Sequence, residues 1–423
     1  MLAGWVPVPG CHNAAVTSTE VLVVGAGPAG SAAAAWAARA GREVLLVDAA
    51  EFPRDKTCGD GLTPRAIAQL EELGMTGWLE GRPRNRGIRM LGFGGMHDLA
   101  WNGPSLPSYG SAAPRTELDD AIRRVAVDAG AAFRGGTRAV DVRRNAHGAV
   151  EAVVLRSGDV VEEIACRHLV VADGVRSTLG RLLGRVWHRD TVYGIAARAY
   201  LTSTRHDDPW ITSHLELVDD GGATLPGYGW IFPLGDGRVN LGVGSLATAS
   251  RHGEVHLPSL LRTYADRQRG EFGLGDDIVS LTSAMLPMGG AVSGIAGPNW
   301  MCVGDAAACV NPLNGEGIDY GLETGRLAAA SLDVADASTA WPALLREHYG
   351  DTFSIARRLA ALLTYERFLP TFGPVAMRSA ALMGIALRVM GNLVTDEDAD
   401  AVARLWRLAG RASLAFDARR PWA

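Results

Sequence analysis

Three glycines and one carboxylate near the start of the chain have the spacing of a dinucleotide-binding turn. Gly25, Gly27 and Gly30 follow a short apolar run, and Asp48 ends the next apolar run. Gly25 permits a tight turn, Gly27 lets the backbone approach a pyrophosphate, and Gly30 lets a helix pack closely on a strand. A carboxylate about 20 residues further on accepts hydrogen bonds from an adenosine ribose. The pattern predicts a βαβ unit that binds a dinucleotide, without deciding between NAD and FAD.

Cys58 stands between polar and glycine residues in the loop FPRDKTCGDGLTP, which also holds the only lysine of the chain, Lys56. Gly59 and Gly61 allow the backbone to approach a flat ligand closely. The alternative is a connecting loop with a buried free thiol. Arg115, just before a predicted helix, can reach a phosphate or stack on a ring, or it can be solvated.

Asp305 and Gly317 belong to a third segment, GDAAACVNPLNGEGIDYG. Asp305 follows an apolar strand and is placed to bind a polyol chain. A glycine-rich helix start near Gly317 offers free backbone N–H groups and the positive end of a helix dipole, which would stabilise a reduced flavin. An ordinary capped helix is the alternative.

Tyr228, Trp230 and Phe232 alternate along a predicted strand and therefore project from one of its faces. They lie in a stretch from about residue 192 to 286 where alternating strands indicate antiparallel β structure, joined in part by the hairpin sequence Gly235-Asp236-Gly237. Three aromatic side chains on one face can wall an apolar channel, or they can form sheet core.

The composition limits the classes of partner. The chain has 423 residues, a net charge of −5 and five cysteines. It shows no basic stripe, which argues against a nucleic-acid partner. The cysteine spacing fits neither zinc nor an iron–sulfur cluster, so no metal site is expected. We find no signal peptide, and Arg378 and Arg388 interrupt the most apolar stretch, so we expect a cytoplasmic protein without a transmembrane span.

These motifs, in this order, resemble FAD proteins of the aromatic-hydroxylase fold, and within them the geranylgeranyl reductase family. FPRDKTCGDGLTPRA, YGWIFP and the GDAA…GEGI block carry the resemblance, which covers nearly all of residues 21 to 390. It implies an α/β fold with a Rossmann-like FAD-binding domain of the glutathione-reductase type, an inserted antiparallel β substrate domain and a C-terminal helical region. We predict a flexible tail at 1–17, an FAD-binding domain at 18–95, 112–190 and 290–340, a substrate domain at 96–111 and 191–289, and the helical region at 341–423.

The resemblance also implies roles for individual residues. The residues implied to hold or border FAD are Gly25, Gly27, Ala29, Gly30 and Asp48 around the adenosine half, Cys58, Gly59 and Gly61 near the flavin, Arg115 and Ala139 beside the cofactor, Asp305 at the ribityl-pyrophosphate, and Gly317 and Ile318 at the ring. The residues implied to line a prenyl channel are Tyr228, Trp230 and Phe232.

The implied reaction adds hydrogen across an isolated double bond of a polyprenyl chain. PSYGSA, WHRDTVYG, LPMGGAVSG and NLVTDED are closest to the actinobacterial members of the family, which implies the isoprenoid tail of menaquinone as substrate. The alternatives are a geranylgeranyl or digeranylgeranylglycerophospholipid reductase and an FAD-dependent monooxygenase of the same fold. A flavin halogenase would carry Trp-x-Trp-x-Ile-Pro where this chain has YGWIFP. Intact phosphate and flavin motifs argue against a prenyl carrier without redox chemistry.

Cys58 is the expected proton donor, with a bound water as the alternative, because a thiol of ordinary pKa is a weak acid. Only one dinucleotide fingerprint is visible, so the electron donor stays open between a ferredoxin-like protein, a quinol and NAD(P)H. The tail beyond residue 341 reads as helical, and its apolar face covers the substrate domain or lies on the inner face of the cell membrane.

Overall fold

The computed structural model describes residues 17–219, 221–250 and 256–423. The predicted tail at 1–17 lies outside this part of the chain, except that Thr17 begins the first strand. The strands are β1 Thr17–Val24, β2 Val44–Val47, β3 Gly61–Leu62, β4 Arg84–Asn85, β5 Gly87–Gly92, β6 Gly95–Ala100, β7 Gly110–Ala112, β8 Ala132–Arg134, β9 Thr137–Arg144, β10 Val150–Ser157, β11 Val160–Val171, β12 Val186–Trp187, β13 Tyr193–Thr202, β14 Trp210–His214, β15 Gly227–Pro233, β16 Arg238–Ala247, β17 Val279–Pro287, β18 Val292–Ser293, β19 Ala296–Gly297 and β20 Trp300–Cys302.

The helices lie between these strands and after them. They are α1 Pro28–Arg39, α2 Pro64–Glu72, α3 Thr76–Glu80, α4 Arg115–Asp128, α5 Thr178–Leu182, α6 Leu257–Phe272, α7 Ile318–Ala330, α8 Ala337–Leu363, α9 Phe368–Ala376, α10 Ala380–Met390 and α11 Ala401–Ala415, with a 3-10 turn at Gly304–Ala307.

A mixed sheet with the order β19-β20-β11-β1-β2-β8 forms the first layer. Strands β20, β11, β1, β2 and β8 run parallel, and β1 pairs with both β11 and β2. The central strands are apolar throughout because both faces of a parallel sheet are covered. Helix α1 consists largely of alanine, and Gly321 and Gly325 of α7 face it, so the two helices cross closely. The predicted βαβ unit is present.

A second sheet has the order β17-β13-β16-β15-β14-β5-β6 and is antiparallel except where β14 pairs in parallel with β5. The predicted substrate domain began at residue 96, but the whole hairpin Gly87–Ala100 belongs to this sheet. The predicted boundary at 95/96 falls within this hairpin, whose two strands are hydrogen-bonded to each other. The hairpin joins the sheet because β5 pairs with β14, which lies more than a hundred residues further along the chain. A local sequence pattern does not reveal so distant a partner.

The C-terminal helices cover the outer part of the second sheet. The buried side chains that pack there are Met90, Trp101, Ile211, Met377, Met383, Leu387 and Leu393. Arg388, whose charge argued against a membrane span in this stretch, is 8% exposed and forms ion pairs with Asp398 and Asp400. Among the described residues, no helix combines the length and the apolar character that crossing a membrane requires.

Candidate active site

Of the three glycines in the turn after β1, two are packed against the protein backbone and one, Gly27, borders open space. Gly25 has a φ of 105°, and a Cβ there would lie 2.2 Å from the carbonyl oxygen of Ala172. A Cβ on Gly30 would lie 1.8 Å from the carbonyl oxygen of Gly25, so both positions require glycine for chain packing. Gly27 caps the N-terminus of α1, and a Cβ there would meet only the Arg54 guanidinium, at 3.3 Å. The free N–H groups and positive end of α1 therefore face a cavity at Gly27.

Asp48 and Ala29 stand beside this turn. The Asp48 carboxylate accepts hydrogen bonds from the backbone N–H of Ala26 at 2.7 Å and of Ala50 at 2.9 Å. It therefore fixes the turn as well as facing the cavity. Ala29 and Gly304 are close neighbours, since a Cβ on Gly304 would lie 2.8 Å from the methyl group of Ala29.

A cluster of buried ions lies next to the turn. Arg115 forms a bidentate pair with Asp119 at 2.6 and 2.7 Å, and Arg54 reaches the same carboxylate at 3.0 Å. Lys56 donates to Asp305 at 2.7 Å. Burial alone would raise the pKa of Asp305, but the Lys56 ammonium holds it below its ordinary value. The cavity therefore has guanidinium and ammonium groups, each held by a carboxylate, beside a helix N-terminus, and such N–H donors are suited to a diphosphate.

The loop around Cys58 is tied to the second sheet by hydrogen bonds. Asn240 of β16 donates to the Cys58 carbonyl oxygen and to the Asp60 carboxylate, both at 2.9 Å, and Tyr200 of β13 donates to Asp60 at 2.6 Å. Burial raises the pKa of Asp60 to about 6, against these donors, which lower it. Burial also raises the pKa of the Cys58 thiol, whose sulfur accepts the backbone N–H of Asp60 at 3.3 Å.

Tyr228, Trp230 and Phe232 share one face of β15, as predicted. Their ring centroids are 5.8 and 6.3 Å apart in sequence order, and all three line the cavity. A Cβ on Gly59 would lie 3.3 Å from Trp230 and Phe232, and one on Gly61 would lie 3.0 Å from Phe232. The two glycines therefore allow the loop to pack against the aromatic rings, which is a reason for glycine that the sequence did not suggest.

Glu316 is a carboxyl group of the cavity wall that sequence reasoning missed. Thr63 donates a hydrogen bond to it, and Asn314 donates a longer one at 3.4 Å. The hydroxyl of Tyr228 donates to the carbonyl oxygen of Asn314 at 2.5 Å, so the carboxyl and the aromatic face are neighbours. Burial raises the pKa of Glu316 well above its ordinary range. Burial therefore favours the protonated form of this carboxyl group.

The remaining residues singled out from the sequence also line the cavity. Gly317 precedes α7, and a Cβ there would lie 3.3 Å from the Asp305 carboxylate. Ile318 is the first residue of α7, and Ala139 of β9 is 6% exposed. The structure thus brings every predicted site residue except Gly30 to one cavity.

Arg54, Lys56, Tyr200, Asn240 and Glu316 were not predicted as site residues. Two of them left a signal in the sequence: Asn240 interrupts an apolar strand at a buried position, and Lys56 is the single lysine of the chain.

One continuous cavity of about 1570 Å³ connects these features. The glycine turn and the buried ions lie at one end, and the aromatic face of β15 follows. Apolar side chains of the C-terminal helices line the other end: Phe368, Leu369, Met377, Met383 and Leu387. Polar and apolar wall segments therefore belong to one cavity.

The residues present fit a dinucleotide cofactor at the polar end. Besides the open helix N-terminus at Gly27, the cavity wall has buried polar atoms with no hydrogen-bond partner among the described residues, including Asp173 Oδ1 and Arg185 Nη2. Unpaired buried polar groups are costly unless a ligand satisfies them. In the same part of the chain, no group of three or more metal-ligating side chains occurs.

The fold and this site define a flavoprotein of the FAD-binding type. The model of the FAD binding domain family matches residues 18–231. The chain is 64% identical over 409 residues to a menaquinone reductase of Mycolicibacterium smegmatis, covering 96% of this chain and 99% of that protein. It is 61% identical over 405 residues to a menaquinone reductase of Mycobacterium tuberculosis, covering 96% and 98%. The chain belongs to the menaquinone reductase family.

A solved structure shares the fold. A geranylgeranyl bacteriochlorophyll reductase-like protein from Thermoplasma acidophilum has a TM-score of 0.75 at 21% identity, covering 93% of this chain and 100% of that one. The predicted family, the α/β fold class, FAD as the cofactor and an FAD-dependent oxidoreductase are therefore confirmed.

Proposed function

We propose that this protein uses FAD to add hydrogen across an isolated double bond in the isoprenoid tail of menaquinone. One observation carries the proposal: a single cavity joins the glycine turn to apolar side chains of the C-terminal helices. Its volume of about 1570 Å³ exceeds the roughly 300–1,000 Å³ of ordinary ligand pockets, which leaves room for a cofactor and a lipid tail together. The names of the relatives support the choice of menaquinone.

In this proposal the glycine turn, Asp48, Arg115 and Asp305 hold FAD, and the loop of Cys58, Gly59 and Gly61 borders its ring system with Ala139, Gly317 and Ile318. When bound and reduced, FAD supplies a hydride to one carbon of the alkene. The other carbon takes a proton from the protein or from a bound water, so the substrate gains two hydrogens in all. An isolated alkene has no carbonyl group to stabilise charge, so its orientation and the exclusion of water decide the rate.

The aromatic face of β15 and the C-terminal helices serve this positioning. Trp230 is fixed by a hydrogen bond from its indole N–H to Asn240 at 2.9 Å, and Tyr228 by its bond to the loop at Asn314. These bonds leave the apolar ring surfaces to contact a prenyl chain. We propose that the aromatic side chains hold the double bond in place.

Two groups at the cavity wall are proposed as proton donors. Cys58 adjoins the aromatic face, but burial raises the pKa of its thiol and weakens it as an acid. Burial raises the pKa of the Glu316 carboxyl group, which favours its protonated form. A carboxyl group is ordinarily a stronger acid than a thiol, so we favour Glu316 as the group that holds the proton.

The test is mass spectrometry of menaquinone after anaerobic incubation with the purified FAD-loaded protein and dithionite. We expect a product heavier by two hydrogens, with the addition mapped to the tail. Menaquinone with a fully saturated tail is the control and should remain unchanged. A reducible bound flavin with an unaltered menaquinone tail would contradict the proposal, and conversion of a digeranylgeranylglycerophospholipid instead would identify the alternative reductase.

The physiological electron donor is a separate experiment. Anaerobic stopped-flow measurement of flavin bleaching compares NAD(P)H, a reduced ferredoxin and a menaquinol at equal concentration. The donor that reduces the flavin at least as fast as turnover is the one the cell can use. Because the substrate is a membrane lipid, we also propose peripheral contact with the inner face of the cell membrane.

A further inference from the structure

Exposed large apolar side chains are concentrated at the C-terminal end of the chain. Of the nineteen such side chains among the described residues, ten lie between Leu359 and Phe416. Scattered apolar residues on a surface are normal, but a concentration of them marks an interaction site. Seven of the ten, from Leu359 to Ile385, lie on or between helices α8, α9 and α10, which line the cavity.

Helices α9 and α10 are the clearest case, and we call residues 365–385 the docking hairpin. No residue of α9 is buried. Val375 is 57% exposed, and Leu382 and Ile385 of α10 are 51% and 46% exposed. These three side chains do not line the cavity, whereas Phe368, Leu369 and Met383 of the same two helices do. The docking hairpin is therefore a wall one helix thick, apolar on its cavity side and apolar on its outer side.

Charged and aromatic side chains border this apolar surface, and two arginines against one exposed acid, Glu366, give the docking hairpin a net positive charge. Arg367 precedes α9 and Arg378 follows it, both are exposed, and neither lies within ion-pair distance of a carboxylate in the described part of the chain. Tyr365, 54% exposed, stands at the same edge. Unpaired arginines and an amphipathic aromatic residue around an apolar centre match a bilayer interface with anionic lipids.

We propose that the docking hairpin lies on an anionic membrane surface, with Val375, Leu382 and Ile385 in the acyl boundary and Arg367 and Arg378 at the headgroups. The occupant is a lipid bilayer and not a second copy of the chain, because the outer surface covers the wall of a cavity that is apolar at the same place. Docked in this way, the protein takes the prenyl tail from the hydrocarbon layer without passing it through water. This last step rests on the proposed function, whereas the docking itself does not.

The experiment measures flotation of the full-length, FAD-loaded protein with vesicles of phosphatidylcholine containing phosphatidylglycerol. The variant Val375→Ser/Leu382→Ser/Ile385→Ser removes the apolar centre. Each half-exposed side chain contributes roughly fivefold to partitioning, so we expect about 100-fold weaker binding. The matched control replaces three exposed apolar residues on distant strands, Val160→Ser/Val161→Ser/Val279→Ser, and should bind as the parent does. Bound-flavin absorbance and circular dichroism verify that both variants fold.

A second variant tests the charge. Arg367→Gln/Arg378→Gln should weaken binding to vesicles with phosphatidylglycerol by roughly 25-fold, at about fivefold for each arginine, and leave binding to pure phosphatidylcholine unchanged. Equal flotation of the apolar variant and its control, or no flotation of the parent protein, would overturn the proposal. So would light scattering that shows a dimer for the parent and a monomer for the apolar variant, since a second copy would then cover the surface.

Turnover in detergent separates this proposal from the proposed function. With a short-tailed menaquinone in micelles, the apolar variant should keep the parent's rate, because its three side chains do not line the cavity. Flotation as expected without turnover by the parent would refute the menaquinone reaction and leave the docking surface intact. Turnover by the parent without any difference in flotation would refute the docking surface alone.

Discussion

Asp60 gives the sharpest test of the structure, because it is a fully buried carboxyl group whose partners come from another sheet. The proposed change is Asp60→Asn. Asp60 has a positive φ of 61°, a conformation that asparagine also tolerates, and the amide oxygen can still accept from Tyr200 and Asn240. The variant therefore removes the ionisation and keeps the geometry.

The magnitude follows from the pKa. Burial raises the pKa of Asp60 from 3.8 to about 6 in the folded protein. Over that pH range the unfolded chain has released a proton that the folded chain still holds, so the stability contribution present below pH 3.8 is lost as pH rises through about 6. At about 1.4 kcal/mol per pH unit, the variant should gain roughly 2.5 kcal/mol of unfolding free energy over the parent between about pH 4 and pH 7.5.

The assay is urea unfolding of the FAD-loaded parent and variant at both pH values, followed by tryptophan fluorescence. Only the difference between the two proteins is used, because all other titrating groups are common to both. Asp276→Asn is the control for replacing an aspartate by an asparagine, since that side chain is 97% exposed. A difference between Asp60→Asn and the parent that stays constant from about pH 4 to pH 7.5 would refute a buried carboxyl group at Asp60 with a raised pKa.

Three further changes probe the loop packing, the C-terminal ion pairs and the proton donor. Gly61→Ala places a Cβ 3.0 Å from Phe232 and should lower the unfolding free energy by about 1–3 kcal/mol in urea titrations. Adding Phe232→Leu to the same chain should restore most of the loss. A loss that this second change does not restore would speak against the contact. Arg388→Ala leaves the buried Asp398 without its arginine and should cost about 3 kcal/mol by thermal unfolding, whereas an unchanged melting temperature would exclude a structural role. Glu316→Gln should lower kcat by about 100-fold or more with FAD still bound, measured as menaquinone reduction; full turnover would exclude it as the proton source.

The sequence was most informative where the function depends on neighbours along the chain. The turn at Gly25, Gly27 and Gly30, the carboxylate of Asp48 and the shared face of Tyr228, Trp230 and Phe232 all follow from local spacing, because helices and strands repeat over a few residues. The start of α7 at Ile318, just after Gly317, is predicted for the same reason.

The contacts that assemble the site from distant segments could not be predicted in this way. Tyr200 and Asn240 reach Asp60 across 140 and 180 residues of sequence, and their direction depends on the register of β13 with β16. The parallel pairing of the hairpin Gly87–Ala100 with β14 is equally remote. Local patterns determine which face a side chain occupies, whereas the partner across the interface depends on how the sheets pack.

The chain has forty arginines and a single lysine, so a reagent that reacts with amines can modify only one of its side chains. Lys56 is the only side-chain amine, and its Nζ lies 2.7 Å from Asp305 where the cofactor would bind. An amine-reactive label on this protein therefore reports on one internal position and on the chain's α-amino group. The loss of labelling at Lys56 as FAD is added would measure how much of the protein has bound the cofactor. The readout is the mass of the peptide that contains Lys56, and no mutation is needed.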